Sequence, residues 1–248
     1  MSKIYEALEQ AQRVQKREDS SVMVRPALSA IVLPAIEPSE LDMEREMITL
    51  YQNIESSLPD LPKKVIQFMG SREGEGTSTI IREFARISAT KLGKRVILLD
   101  ADRQHPVQHL LFNIHPEYGW EDALGNGIPA EKTAYQIGTS TLFLSPVSPS
   151  SVSSHQIFDS PRLKDFFETL RQIFDLVIID SPPATVSSDG LSISRRTDGV
   201  ILVVEAEKTR WPVVESVRDS ITRNRGKIIG MVLNKRRHYI PDFVYNHL

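Results

Sequence analysis

One unbroken stretch, VIQFMGSREGEGTSTIIREFARISATKLGKRVILLDAD from Val65 to Asp102, constrains this chain more than any other. An apolar run, a Gly-rich turn, an amphipathic segment and a second apolar run ending in two aspartates follow one another. That order predicts strand, loop, helix and strand, the repeating unit of a parallel sheet. A Gly-rich loop that opens a helix gathers backbone N–H groups around an anion, so a phosphate cradle is expected here. Such a loop normally carries a lysine directly after its last glycine. Position 77, after Gly76, is threonine.

The rest of the chain keeps alternating. Apolar, β-branched runs predict strands at Val65–Met69, Arg95–Leu99, Thr141–Leu144, Leu176–Ile179, Gly199–Val204 and Lys227–Leu233. Helical stretches are expected between most of them, at Ser78–Leu92, Pro106–Phe112, Pro161–Ile173, Ser188–Arg195 and Trp211–Arg223. Strands apolar on both faces and separated by helices imply an α/β fold: a doubly wound, mostly parallel sheet with helices on both faces. Ligands in such sheets lie at the carboxyl ends of the strands. The Gly-rich loop, Asp100, Asp180 and Asn234 all fall there.

Upstream, Ser2 to about Arg17 has helical spacing of Ile4, Ala7, Leu8 and Ala11, either a terminal helix packed on its own domain or one that docks on a partner. Glu18 to Glu40 contains Pro26, Pro34 and Pro38 and reads as a linker. A helix is expected over about Leu41 to Leu58, ended by Pro59 and Pro62. The expected division is therefore residues 1–40, helix and linker, and residues 41–248, one α/β domain; 248 residues suffice for that core. A net charge of −2 argues against a generally basic nucleic-acid binder, and the absence of cysteine excludes disulfide and thiolate metal chemistry. No apolar run approaches the roughly 20 residues of a membrane-spanning helix, and the N-terminus lacks the apolar core of a signal peptide. A cytoplasmic location is expected.

Three elements carry the chemistry. In the loop, Gly74 and Gly76 let the backbone approach phosphate oxygens, Ser78 sits where a hydroxyl serves Mg2+, and Thr79 can donate to an inner phosphate. VILLDAD ends a strand with Asp100 and Asp102 on one side, acids able to hold hydrated Mg2+ or take a proton from a hydroxyl. FDLVIIDSPP adds Asp180 after a second apolar run, an acid that positions Mg2+ through water. Losing the loop lysine removes a charge-assisted bond of about 1.5–3 kcal/mol, which predicts roughly ten- to a hundredfold weaker nucleotide binding. Arg72, in the same loop, is either a substitute cation or a solvated surface arginine. Lys235, Arg236 and Arg237 read as a solvated basic edge, and His105, His109 and His115 form no convincing ligand set.

GEGTST, VILLDADRQHP, DLVIIDSPP, DGVILVVEAEKT and IIGMVLNK together resemble the bacterial tyrosine kinases of capsule and exopolysaccharide assembly, deviant-Walker P-loop ATPases. The resemblance runs from about Leu41 to Lys235, and MSKIYEALEQA resembles members encoded without their membrane half. It implies ATP or ADP and Mg2+ as cofactors and a membrane-embedded polysaccharide chain-length or co-polymerase protein as partner. It also implies homo-oligomeric rings that phosphorylate a tyrosine-rich tail, and attachment at the inner membrane through the partner. By position, Gly74, Glu75, Gly76, Thr77, Ser78 and Thr79 would hold phosphates. Ser78, Asp100 and Asp180 would serve Mg2+, Asp100 and Asp102 would act on the incoming tyrosine, and Asn234 would lie near the adenine.

The chain departs from that pattern in three places. Thr77 replaces the loop lysine, Glu46 is followed by Thr49 and Gln52 where the family has arginines, and the tail carries only Tyr239 and Tyr245. Without those guanidiniums the bidentate contacts that join subunits are lost. The expected function is a kinase-like regulator of polysaccharide polymerisation and export with weakened or lost phosphotransfer. Two alternatives stand beside it: an active autokinase in which Arg72 compensates, and a positioning ATPase of the partition type.

Overall fold

The structure is a computed structural model that describes residues 43–149 and 156–236. The expected N-terminal helix, the linker and both tail tyrosines lie outside the described residues. The chain runs α1 (Glu44–Ser57), β1 (Lys64–Gly70), α2 (Thr77–Thr90), β2 (Val96–Asp100), α3 (Gln108–Leu111), α4 (Trp120–Gly125), a 3-10 turn (Ala130–Thr133), β3 (Tyr135–Gln136) and β4 (Leu142–Ser145). It continues through α5 (Gln156–Asp159), α6 (Arg162–Ile173), β5 (Leu176–Ser181), α7 (Asp189–Ser194), β6 (Gly199–Glu205), α8 (Trp211–Arg223) and β7 (Ile228–Asn234).

The seven strands are ordered β3-β4-β2-β5-β1-β6-β7. Every pairing is parallel except β3 with β4. The doubly wound sheet read from the sequence is the fold found. Strand alternation explains its layers. Ile66 and Phe68 face one side with Leu98 and Ile178, where Ile80, Ile81, Phe84 and Ile87 of α2 cover them and Met47 and Ile54 of α1 close the layer. Val65, Ile97, Leu99, Val177 and Ile179 face the other side, under Trp120 of α4 and Leu163, Phe166, Phe167 and Leu170 of α6. Val214, Val217 and Ile221 of α8 cover Val200, Leu202 and Val204 beside them. Every residue of β1 is buried, as a central strand covered twice must be. At the opposite end from the Gly-rich loop, Arg171 makes a bidentate pair with Asp198 (2.7 and 3.0 Å), and Asp198 also accepts the Val65 N–H at 2.7 Å.

Most expected elements are present with ends moved by one or two residues. The expected helix at Pro106–Phe112 is cut to Gln108–Leu111, because Asp100 Oδ2 accepts the Val107 and Gln108 N–H groups and sets where the turn begins. α4, α5 and β3 were not anticipated.

Candidate functional site

β1 delivers the chain into the loop at Gly70, and α2 begins at Thr77. Two glycines make the bend possible: Gly74 and Gly76 have φ of 77° and 85°, the left-handed region costly to any side chain. Gly76 must be glycine for a second reason, since a Cβ there would collide with Asn234 Nδ2. The loop is braced from inside by Glu75, which is 2% exposed. Its carboxylate accepts the Ser71 N–H (2.6 Å), the Arg72 N–H (2.9 Å), the Ser71 hydroxyl (2.7 Å) and the Thr209 hydroxyl (2.6 Å). From β7, Asn234 Nδ2 donates to the Glu75 carbonyl at 2.8 Å.

Helix α2 then starts without a side-chain cap. Its first helical bond is from the Ile80 N–H to the Gly76 carbonyl. The N–H groups of Thr77, Ser78 and Thr79 precede that bond and stay available to an anion, with the helix dipole behind them. They border a cavity of about 290 Å3 whose wall includes Arg72, Gly74, Glu75, Gly76, Thr77, Ser78, Thr79, Asp102 and His105. The sequence-predicted loop and Asp102 therefore meet around one space. Asn234 stands behind the loop and ties it to β7.

Asp100 and Asp180 are register partners at the ends of β2 and β5. Both are buried, 0% and 1% exposed, and neither lines the cavity, although Asp102 and Ser181, just beyond them in the chain, do. Asp100 Oδ1 accepts the Asp102 N–H at 3.2 Å, its Oδ2 accepts the Val107 and Gln108 N–H groups at 3.1 and 3.0 Å, and its carbonyl takes Trp120 Nε1 at 2.8 Å. Asp180 Oδ2 accepts Gln108 Nε2 at 2.7 Å, and the same nitrogen donates to the Ser78 carbonyl at 3.1 Å. The Ser78 side chain also bonds Asp180. Burial, and next the Asp180 charge, push the Asp100 carboxyl well above the usual carboxylate range. Burial pushes Asp180 up to about 6, against the opposing pull of the Gln108 and Ser78 bonds.

The sequence expectation of Ser78, Asp100 and Asp180 in one place is met as proximity. What joins them is an amide. A divalent ion needs open carboxylate oxygens and room for its water, yet both acids are sealed and Gln108 Nε2 stands against Asp180. Gln108 Oε1 is itself buried and without a hydrogen-bond partner. As packed, these residues do not fit Mg2+. Asp100 is likewise out of reach of an incoming hydroxyl, while Asp102 lies on the cavity wall with Oδ1 accepting the Gln104 and His105 N–H groups.

Two residues escaped sequence reasoning. Gln108 had no signal, being one amide in a short amphipathic turn. Lys235 was read as a solvated edge, but its Nζ donates to the Gly74 carbonyl at 2.5 Å; its place directly after Asn234 at a strand end was the available clue. On α1, Glu46, Thr49 and Gln52 share the exposed face. Among the described residues, no helix is long and apolar enough to cross a membrane.

The chain is 25% identical over 206 residues to the tyrosine-protein kinase YwqD of Bacillus subtilis (strain 168), covering 83% of this chain and 86% of that protein. It is 28% identical over 176 residues to the succinoglycan biosynthesis transport protein ExoP of Rhizobium meliloti (strain 1021), 69% of this chain and 22% of ExoP. Among solved structures, the chimerical protein CapA2B2 superposes with a TM-score of 0.73 at 23% identity, over 85% of this chain and 96% of that one, a likeness of fold. Residues 63–215, from β1 into α8, match the family described as cellulose biosynthesis protein BcsQ. The chain thus belongs to that P-loop family, and its relatives include proteins named as bacterial tyrosine kinases.

Proposed function

We propose that this protein is a kinase-like subunit that regulates exopolysaccharide or capsule polymerisation and export, with phosphotransfer weakened or lost. One observation carries the reading. The loop keeps an open phosphate cradle at Thr77, Ser78 and Thr79, while the position that supplies its cation holds a threonine. The kinship with a tyrosine kinase and a polysaccharide transport protein supports the process. In this reading the ligand is ATP or ADP, bound loosely through backbone N–H groups. Any Mg2+ is bound weakly, because Gln108 must first leave Asp180. The partner is a membrane-embedded chain-length or co-polymerase protein that brings the subunit to the inner membrane, with self-association an added option.

Calorimetry with ADP tests the nucleotide part. Thr77→Lys is expected to tighten binding roughly ten- to a hundredfold, the worth of one charge-assisted bond. No gain would mean that the cradle does not take phosphate. Strong ATP-dependent autophosphorylation of the natural protein, abolished by Asp100→Ala, would overturn the loss of chemistry. A second reading, an active autokinase, draws on Arg72, which lines the same cavity. It predicts that Arg72→Ala removes nucleotide affinity, and an unchanged dissociation constant would end it.

A further inference from the structure

The strand that braces the loop also brings a charge to it. β7 ends at Asn234, and Lys235 follows with φ of 56°, a left-handed torsion uncommon outside glycine. Two bonds fix that turn: the Lys235 N–H donates to Asn234 Oδ1 at 2.9 Å, and the Ala206 N–H donates to the Asn234 carbonyl at 2.9 Å. The turn sends the side chain back over the end of the sheet. Nζ reaches the Gly74 carbonyl at 2.5 Å, and Cε lies 3.8 Å from where a Cβ on Gly76 would stand. An ammonium is therefore held against the loop whose own cation is missing, next to the residue that precedes Thr77.

The contacts of Lys235 suit a group that can be re-aimed. Its side chain is 46% exposed, and its only carboxylate contact among the described residues is Glu205 Oε2 at 3.4 Å. Glu205 does not depend on it, because Lys208 Nζ approaches the same carboxylate at 3.1 and 3.3 Å. Moving Lys235 leaves no buried charge unpaired. Gly74 is an exposed residue, so its carbonyl too loses little. An ammonium on a flexible four-carbon stem has three donors, and the two present contacts leave one for an incoming phosphate oxygen.

We propose that Lys235 supplies, from the end of β7, the phosphate-binding cation that position 77 lacks. The inference rests on the nucleotide reading above and adds a residue to it. ADP affinity without metal is measured for the natural chain, Lys235→Ala, Lys235→Gln, Thr77→Lys and the Thr77→Lys/Lys235→Ala double variant. Lys235→Gln retains a stem and a donor for the Gly74 carbonyl but no charge, so it separates charge from bracing. Both Lys235 variants are expected to bind ADP roughly tenfold more weakly at an unchanged melting temperature. The double variant is expected to return to the natural affinity or better. If the natural chain binds ADP and the Lys235 variants bind it equally well, Lys235 is only a brace and the inference falls alone. If Lys235→Gln keeps full affinity while Lys235→Ala loses it, the charge is not what matters and the inference falls again. If neither the natural chain nor Thr77→Lys binds ADP, the nucleotide reading falls and takes this one with it.

Discussion

Replacing Asp180 by asparagine is expected to make the protein more stable, and by an amount that depends on pH. In the unfolded chain an aspartate ionises near 3.8; burial moves Asp180 to about 6 in the fold. The folded protein is thus penalised for ionising this carboxyl as pH rises from about 4 to about 6, and the penalty stays constant above that window. Ionising at about 6 instead of near 3.8 corresponds to about 3 kcal/mol. Asparagine escapes the penalty and keeps the geometry, since its Oδ1 can accept Gln108 Nε2 and its amide can face the Ser78 hydroxyl. Removing the Asp180 charge also relieves Asp100, whose carboxyl that charge helps push up. Urea melts of both proteins at pH 4.5, 6 and 7.5 read the difference. The variant should gain about 1 kcal/mol at pH 4.5 and about 2–3 kcal/mol at pH 7.5, the latter a rise of roughly 4–12 °C in melting temperature for a domain of this size. A variant less stable than its parent at pH 7.5, or one with the same margin at both ends, would refute the account of a strained acid.

Gln108→Ala should open the space beside Asp180 to a divalent ion. Manganese binding followed by electron paramagnetic resonance is expected to tighten about tenfold or more, the worth of the bond that no longer has to be displaced; equal affinity in both proteins would show that Gln108 is no obstacle. Arg171→Ala leaves Asp198 without its bidentate partner at the base of the sheet. The pair is 17% and 14% exposed, so a loss of about 2–3 kcal/mol in urea melts is expected, below the cost of breaking a fully buried pair. A change under about 0.5 kcal/mol would place it with ordinary surface ion pairs.

What could be read in the sequence was what burial enforces. Leu176–Ile179 and Val65–Met69 announce themselves because a strand covered on both faces must be apolar at every position. β3 did not, because Tyr135–Gln136 is two residues long and exists only through its antiparallel pairing with Phe143 and Leu144. α4 was missed for a related reason: its place is set by Trp120, whose indole reaches 20 residues back to the Asp100 carbonyl. The site followed the same division. Gly74, Gly76, Asp100 and Asp180 carry local signatures, glycine torsions and acids at strand ends. Gln108 and Lys235 act through contacts spanning 72 and 161 positions, and no local pattern records them.

Asn234 and Lys235 grip the loop at the point where the polypeptide leaves β7. The exit of the chain and the mouth of the cavity are thus one mechanical unit. Strain at that exit is felt first at the Gly74 and Glu75 carbonyls, which Lys235 Nζ and Asn234 Nδ2 hold.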